Sequence, residues 1–132
     1  MTAIEKKSRK LPEHYSPVMP YLVVPDGEEL IHFVTAVFDA KELLRVNCPD
    51  GSVMHCEYSV NGGTIMFGQA GDEWKAFPCS MYVVEPDVDG VYKKAIENGA
   101  TGNMEPCDKD YGRAAGFIDR SGNQWWLNDP GS

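Results

Sequence analysis

The spacing of hydrophobic and polar positions changes along the chain in an order that occurs twice. A short apolar run, residues 18–24, precedes a segment in which apolar residues recur every three or four positions, and extended runs follow it. Three- to four-residue spacing indicates an amphipathic helix, whereas short runs rich in β-branched and aromatic residues indicate strands. The same order restarts near residue 79. The pattern therefore predicts the element order β-α-β-β-β in each half.

The first half is predicted to contain strands at 18–24, 43–47, 53–60 and 64–69, with a helix at 28–38. The second half is predicted to contain strands at 79–84, 103–105, 113–118 and 124–128, with a helix that begins after Asp87 and ends before Gly99. Asp26, followed by Glu29 three positions later, is typical of a helix N-cap. The turns Asn61-Gly62-Gly63 and Ser121-Gly122-Asn123 supply the positive φ that a hairpin needs.

The two halves also align in sequence, since residues 22–26 match residues 82–87 with one extra residue in the second copy. Two such units, each with a helix on one face of its sheet, can pair so that the uncovered faces form a cavity. The predicted class is α+β, with two tandem βαβββ modules, residues 18–69 and 78–130, forming a curved mixed sheet around that cavity. Residues 18–130 form a single domain in this prediction. Residues 1–17 are expected to be a flexible basic arm.

Length and charge narrow the possible functions. At 132 residues the chain is one domain by length, large enough to bury a real core. The net charge is −8, and because the first ten residues contribute +3, the remaining chain carries −11. Binding to phosphates requires a basic surface that releases counterions. We therefore expect neither a nucleic acid nor a membrane surface as partner.

The sequence also indicates a compartment. No apolar run reaches the roughly 20 residues that a membrane span needs, and the charged start is unlike a signal peptide. The four cysteines, Cys48, Cys56, Cys79 and Cys107, show no paired spacing. In a reducing compartment such cysteines are free thiols. The expected location is the cytoplasm.

Strand alternation predicts which side chains face the cavity, because residues two apart share a face. On the third strand the apolar set Met54, Cys56 and Tyr58 suits packing under the helix, which leaves Val53, His55 and Glu57 toward the cavity. Transferred through the repeat, the same alternation predicts the full lining. The predicted cavity residues include Met19, Tyr21, His55, Glu57, Met66, Cys79, Met81, Arg113, Phe117, Gln124 and Trp126.

Three groups of residues resemble the vicinal oxygen chelate superfamily, which includes glyoxalase I, bleomycin-resistance proteins and extradiol dioxygenases. They are Tyr21-Leu22, the run 51–55 (GSVMH), and Tyr111-Gly112-Arg113 leading to 119–126 (DRSGNQWW). Within that superfamily the sequence looks most like the PhnB-like branch. The resemblance covers about residues 18–130, and the last motif is the most specific.

The resemblance implies four metal-ligand positions, near the ends of the first, fourth, fifth and eighth strands. Carried over to this chain, they fall on Met19, Met66, Cys79 and Trp126. Hard divalent ions require oxygen or imidazole donors, which none of these side chains provides. We therefore expect no metal at this site and no other cofactor. Soft donors such as Met19, Met66 and Cys79 suit Cu(I), but they are also ordinary core residues.

His55 and Glu57, on one face of one strand, are the candidate catalytic residues. They suit two ligands of a displaced metal site, or a general acid/base pair, because a carboxylate partner raises the pKa of a histidine toward neutrality. Equally, His55 can simply hydrogen-bond a neighbour in the cavity wall. His14 in the arm and His32 on the polar side of the first helix are not expected to be ligands.

Three further residues carry alternatives. Arg113 can clamp an anionic group of a ligand or form an internal salt bridge to an acid. Trp126 is expected to stack on a planar ligand, and Trp125, on the opposite face, to pack in the core. Cys79 is expected to be an inert buried thiol rather than a nucleophile.

Together these features predict a protein that binds a small apolar or aromatic molecule in a metal-free cavity. The alternative is an enzyme of the lyase, isomerase or dioxygenase type that uses His55 and Glu57. The resemblance also implies a homodimer. Pairing of the modules within one chain and exchange across the dimer use the same strands, so both arrangements stay open.

Overall fold

The computed structural model describes residues 10–131, and in it two βαβββ modules follow one another along the chain. The first module consists of β1 (Tyr21–Val24), α1 (Gly27–Phe38), β2 (Lys41–Asn47), β3 (Val53–Val60) and β4 (Gly63–Gln69). The second consists of β5 (Ser80–Val84), α2 (Val88–Glu97), β6 (Thr101–Lys109), β7 (Gly112–Ile118) and β8 (Gln124–Asp129). The predicted α+β class and tandem modules are confirmed. The basic residues Lys6, Lys7 and Arg9 of the predicted arm lie outside the described residues.

Two strands differ from the predicted bounds for reasons connected with proline. β1 begins at Tyr21, directly after Pro20, rather than at residue 18. β6 runs continuously over Thr101–Lys109, where a short strand and a loop were expected. It pairs only with β7, and register shifts between Gly102 and Met104 and between Met104 and Cys107 interrupt the ladder. An edge strand with such irregularities tolerates Pro106, which has no N–H to donate.

Each module contributes one four-stranded mixed sheet, ordered β1-β4-β3-β2 in the first and β5-β8-β7-β6 in the second. The edge pairs β1–β4 and β5–β8 are parallel and the other pairs are antiparallel. At the β3–β4 hairpin, Asn61 and Gly62 both adopt positive φ, 49° and 86°. Positive φ at both central residues is the geometry of the tight turn predicted there.

Both helices begin at a capping aspartate. The carboxylate of Asp26 accepts a hydrogen bond from the backbone N–H of Glu29, at 3.3 Å, and that of Asp87 accepts one from the N–H of Gly90, at 3.1 Å. Such bonds satisfy amides that have no partner inside the helix. Neither helix of the described residues is long and apolar enough to cross a bilayer.

The helices and one face of each sheet enclose a single core. Trp125 of β8 is fully buried, and its ring lies 5.0 Å from that of Phe38 and 6.5 Å from that of Phe117. Phe33 lies 5.9 Å from Phe117. Since Phe33 and Phe38 belong to α1 and Phe117 and Trp125 to the second sheet, the core joins the two modules. Neither helix covers the opposite faces of the sheets, which we call the first and second helix-free faces.

A buried carboxylate organises the β7–β8 turn. Asp119 accepts hydrogen bonds from the backbone N–H groups of Ser121 (2.9 Å) and Asn123 (3.0 Å), and from the indole N–H of Trp125 (2.8 Å). One side chain therefore fixes both the turn and the orientation of the central core aromatic.

Replacing Asp119 with alanine should destabilise the protein by about 2–4 kcal/mol, because it leaves the Trp125 and Asn123 donors buried without partners. Denaturant unfolding measures this free energy. Asp72→Ala, in an exposed loop, is the control and should stay within about 0.5 kcal/mol of the parent protein. Equal stability of the two variants would contradict the role of Asp119.

Candidate functional site

The most unusual group on the first helix-free face is a buried carboxylate with three partners. Glu57, in the middle of β3, is only 1% exposed. Its Oε1 lies 2.7 Å from His14 Nε2, and its Oε2 lies 2.7 Å from both the Tyr15 hydroxyl and His55 Nε2. Burying a carboxylate is costly unless hydrogen bonds compensate for the lost hydration. We call Glu57, His14, Tyr15, His55 and Tyr21 the Glu57 cluster.

The protonation state of Glu57 follows from two opposed effects. Burial, the largest single effect, raises its pKa, whereas the hydrogen bonds from His14, His55 and Tyr15 lower it. The hydrogen bonds prevail and bring the pKa of Glu57 from 4.5 to about 2. At neutral pH this carboxylate is therefore an anion that accepts hydrogen bonds from all three partners. It is unsuited to act as a general acid.

Tyr21 extends the cluster to the surface of the face. Its hydroxyl oxygen lies 3.1 Å from His55 Nδ1, and the two rings stack with centroids 5.5 Å apart. Burial, followed by smaller effects of nearby negative charge that include Glu57, raises the pKa of Tyr21 above its usual 10. A continuous chain of hydrogen bonds thus runs from Tyr21 through His55 to Glu57.

The N-terminal segment supplies two members of this cluster. Besides the contacts of His14 and Tyr15 with Glu57, the Thr64 hydroxyl donates to the backbone carbonyl of His14, at 2.6 Å. From the sequence, His14 was considered only as a metal ligand, and its contact with Glu57 was not predicted. A contact between residues 43 positions apart leaves no periodic trace in the sequence. The only available hint was an adjacent histidine and tyrosine in a segment otherwise expected to be a solvated arm.

A cavity of about 490 Å³ adjoins Tyr21 and is lined by Tyr21, Val23, Met54, Gly68, Gln69 and Trp74. Its volume suits a small organic ligand. Trp74, from the loop between the modules, is 68% exposed and forms one wall. A Cβ on Gly68 would lie 2.5 Å from the Met54 carbonyl oxygen and 3.2 Å from the Tyr21 hydroxyl. Glycine at this position lets the Tyr21 hydroxyl lie in the cavity wall.

The second helix-free face carries a smaller aromatic cavity of about 290 Å³, lined by Tyr82, Met104, Tyr111, Ala114, Trp126, Leu127 and Asn128. Gly116 pairs with Trp126, and a Cβ there would lie 2.7 Å from the indole ring. The ring therefore lies flat against the strand. Asn128 Oδ1 is the single buried side-chain polar atom of the described residues that has no hydrogen-bond partner.

The structure brings several predicted residues together on the helix-free faces. Tyr21, His55, Glu57 and Met66 lie on the first face, with Met19 half-buried just before β1. Trp126 lies on the second face and is 38% exposed, while Trp125 is in the core, as the alternation of β8 predicts.

Other predicted cavity residues lie elsewhere. Met81 and Phe117 are core residues, so their assignment to the cavity was wrong. Arg113 forms salt bridges to Asp89 of α2 (2.8 Å) and to Asp108 (3.3 Å), which is the internal-pair alternative rather than a ligand clamp.

Two predicted cavity residues serve the turn region instead. The backbone N–H of Cys79 donates to Asn123 Oδ1, and the side chain of Gln124 is hydrogen-bonded to Asn103 and to the Phe117 carbonyl. Burial raises the pKa of the Cys79 thiol, as expected for an inert cysteine.

The errors on β5 come from the predicted alignment of the two copies, which inserted one extra residue in the second copy where the structure needs none. When the copies are aligned at their N-cap residues Asp26 and Asp87, Tyr82 corresponds to Tyr21 and Ser80 to Met19. Tyr82 pairs with Trp126 and Met81 with Trp125, so Tyr82 belongs to the second helix-free face and Met81 to the core. On β7, likewise, Gly116 pairs with Trp126 and Phe117 with Trp125. A one-residue slip exchanges the two faces of a strand.

A β-bulge causes a similar exchange at the start of β3. In the β2–β3 ladder, Val46 pairs with His55 but the next residue, Asn47, pairs with Val53. The register therefore shifts by one residue, and Met54 is skipped. Val53 is buried and packs against Gly27, whereas Met54 is 52% exposed and lines the first cavity. Bulges break the two-residue period on which the prediction of these two side chains depended.

The side chains present do not fit the family's metal. Met19, Met66, Trp126 and Cys79 offer no oxygen or imidazole donor, and Ser80, the corrected counterpart of Cys79, offers one neutral hydroxyl, which alone does not hold a hard divalent ion. Within residues 10–131, no three histidine, cysteine or acidic side chains converge as a metal site. We therefore derive no chemical step through a metal.

Comparison with known proteins supports the assignment to a family. The profile of the Glyoxalase/Bleomycin resistance protein/Dioxygenase superfamily matches residues 13–127. The chain belongs to this superfamily. An uncharacterised protein of Mycobacterium bovis is 31% identical over 123 residues, covering 84% of this chain and 81% of that one.

Solved structures share the fold. TioX from Micromonospora sp. ML1 superposes with a TM-score of 0.73 at 22% identity, covering 87% of this chain and 98% of that one. A putative 3-demethylubiquinone-9 3-methyltransferase, PhnB protein, from Bacillus cereus gives 0.66 at 17% identity, covering 86% and 98%. At these identities the likeness concerns the fold alone.

The pKa of Glu57 predicts a pH dependence of stability. Because the carboxyl has a pKa of about 2 when folded and 4.5 as its reference value, its contribution is complete above pH 4.5 and is lost as the pH falls toward 2. The full loss should be about 3 kcal/mol. Unfolding free energies measured between pH 6 and pH 2 test this.

Glu57→Gln should lack this pH-dependent contribution to stability. The difference in unfolding free energy between the parent protein and the variant should therefore shrink steadily below pH 4.5. Glu105→Gln, at an exposed position of β6, is the matched control and should follow the parent. A difference between parent and Glu57→Gln that stays constant down to pH 2 would contradict the account.

Proposed function

We propose that this protein binds a small, planar aromatic molecule between aromatic side chains of its helix-free faces, without a metal. The observation that supports this best is the pair of cavities, about 490 and 290 Å³, one on each face and each walled by aromatic residues. Tyr21 and Trp74 line the first, and Tyr82 and Trp126 line the second. Apolar cavities with a few polar groups are typical of small-molecule sites.

The exposure of these aromatics is the second argument. Trp74 is 68% exposed and Tyr82 is 62% exposed. Aromatic surface clustered in this way is costly to hydrate and marks a surface that is covered in the functional state. Planar ligands gain both burial and favourable stacking against such rings.

We further propose that the site is completed in a homodimer, in which the first helix-free face of one protomer meets the second helix-free face of its partner. In one chain, the helix-bearing faces of both sheets are already used in the common core around Trp125. The first cavity is lined by β1, β3, β4 and the inter-module loop, and the second by β5 to β8 with Tyr111. A two-fold dimer of this kind would hold two equivalent sites.

Catalysis is the second candidate function, and the hydrogen-bonded chain Tyr21–His55–Glu57 is the observation that favours it. The ionised Glu57 holds His55 with Nε2 as donor, which is the arrangement of a histidine general base oriented by a carboxylate. A metal held by His55 and Glu57 is less well supported, because His14 and Tyr15 already occupy the carboxylate oxygens. The reaction would be of the lyase, isomerase or dioxygenase type.

Two finer assignments accompany this proposal. The likeness to the Bacillus cereus PhnB protein supports placement in the PhnB-like branch. The four free cysteines are in keeping with a reducing compartment, so we propose the cytoplasm as the location. Neither a nucleic acid nor a membrane is a proposed partner, since the chain is acidic.

Substitution of the two adjacent tryptophans separates binding from folding. Trp126→Ala should abolish the binding of planar aromatic probes such as 2-naphthol while lowering stability by less than about 1 kcal/mol. Trp125→Ala should cost about 3–5 kcal/mol because it leaves a cavity in the core. Fluorescence titration and denaturant unfolding measure the two effects. If Trp125→Ala abolished binding and Trp126→Ala mainly lowered stability, the ligand would contact the other face of β8.

The dimer proposal predicts twice the mass of one chain in sedimentation equilibrium. Val84→Glu, on the second helix-free face, should shift the protein toward monomer because it places a charge in the proposed interface. Ile96→Glu, at an exposed position of α2 outside that interface, is the control and should remain dimeric. A monomeric parent protein, or dissociation by Ile96→Glu alone, would refute the arrangement.

A further inference from the structure

The Tyr21 hydroxyl is a polar group that faces the first cavity from within the hydrogen-bonded chain. It lies in the wall beside Gly68, and its partner inside the protein is His55 Nδ1, at 3.1 Å. Of the other lining side chains, those of Val23, Met54 and Trp74 have no strong acceptor, and the amide oxygen of Gln69 already accepts from the backbone N–H of Gly27, at 3.2 Å. Tyr21 is therefore in a position to select among ligands of similar shape.

The direction of each hydrogen bond can be assigned from the inner end of the chain. Glu57 receives the Tyr15 O–H on the same oxygen, Oε2, that lies 2.7 Å from His55 Nε2. As an ionised carboxylate it has no proton to offer, so His55 must donate through Nε2. In a neutral imidazole the other nitrogen is then an acceptor.

The assignment at His55 decides what Tyr21 presents to the cavity. Since His55 Nδ1 is an acceptor, the Tyr21 O–H proton points to it and away from the ligand space. The free lone pairs of the phenolic oxygen are left toward the cavity. A hydroxyl that donates along such a chain becomes a better acceptor, because successive hydrogen bonds polarise one another.

We infer that the Tyr21 oxygen accepts a hydrogen bond from the ligand. The ligand class is thus planar aromatic molecules with an N–H or O–H group at the ring edge, in preference to isosteres without a donor. This inference rests on the proposed binding function and adds its chemical selectivity. It also gives the Glu57 cluster a role that needs no turnover: Glu57 and His55 are positioning residues that set the direction of the Tyr21 hydroxyl.

The second module supports this assignment by contrast. Tyr82 corresponds to Tyr21 when the copies are aligned at their N-caps. Gly116 occupies the position of Glu57, because Gly116 pairs with Trp126 as Glu57 pairs with Met66. Ala114 stands where the first module has His55. No carboxylate or imidazole therefore orients Tyr82 in the way that His55 orients Tyr21. The two tyrosines form a matched pair in which only one has a fixed hydroxyl direction.

The test compares carbazole, which carries an N–H, with dibenzofuran, its planar isostere with a ring oxygen. Equilibrium dialysis at pH 8 gives both dissociation constants. The parent protein should bind carbazole roughly threefold to tenfold more tightly. Tyr21→Phe should bring the two constants within about twofold, while Tyr82→Phe should retain the preference.

Each of the other possible results contradicts one part of the proposal. Equal affinity of the parent protein for both compounds, or a preference that survives Tyr21→Phe, would overturn the inference and leave the binding function intact. A preference lost only in Tyr82→Phe would assign the acceptor to the second face and refute the role of Tyr21. Binding of neither compound by the parent protein would overturn the proposed function itself. A circular dichroism spectrum of Tyr21→Phe equal to that of the parent shows that the variant is folded.

Discussion

Burial of Trp125 between the two modules is the interaction on which the rest of the structure depends. Its indole ring packs against Phe38 of α1 and Phe117 of β7, and its N–H is held by Asp119 in the last turn. This contact draws the helix of the first module onto the sheet of the second, so that both helices share one core. We propose that a ligand and a second protomer cover the opposite faces, which neither helix covers.

The two uncovered faces differ in chemistry although they derive from one repeated unit. The first carries the ionised Glu57 with three hydrogen-bond partners, whereas the second has Gly116 at the corresponding position, under the ring of Trp126. One face therefore supplies directed polarity and the other supplies a flat aromatic surface. A single planar ligand can use both only if the two faces meet.

Much of the fold could be predicted from local patterns. The N-caps Asp26 and Asp87, the Asn61-Gly62 turn and the separation of Trp125 from Trp126 are each determined by nearby residues. The first face was predicted well because the strand alternation there is regular from His55 onward.

The errors arose where one residue changes the period or where distant residues meet. The predicted alignment inserted an extra residue before Asp87 that the structure does not have, which exchanged the predicted faces of β5, and a bulge exchanged Val53 with Met54. The contacts of His14 and Tyr15 with Glu57 depend on the path of the N-terminal segment over the sheet, which neither periodicity nor composition encodes. The strand residues of the candidate site could therefore be predicted from the sequence. The N-terminal partners that keep Glu57 ionised could not.

We propose that the first face of one chain and the second face of another form each site. Subunit complementation tests this most directly, with Tyr21→Ala disabling one face and Trp126→Ala the other. Each variant alone should bind no 2-naphthol. After the two are unfolded and refolded together in equal amounts, random pairing makes half of the dimers mixed, and one of the two sites in each mixed dimer is intact. Recovery of about a quarter of the parent protein's sites is the predicted result, and recovery of none would contradict the claim.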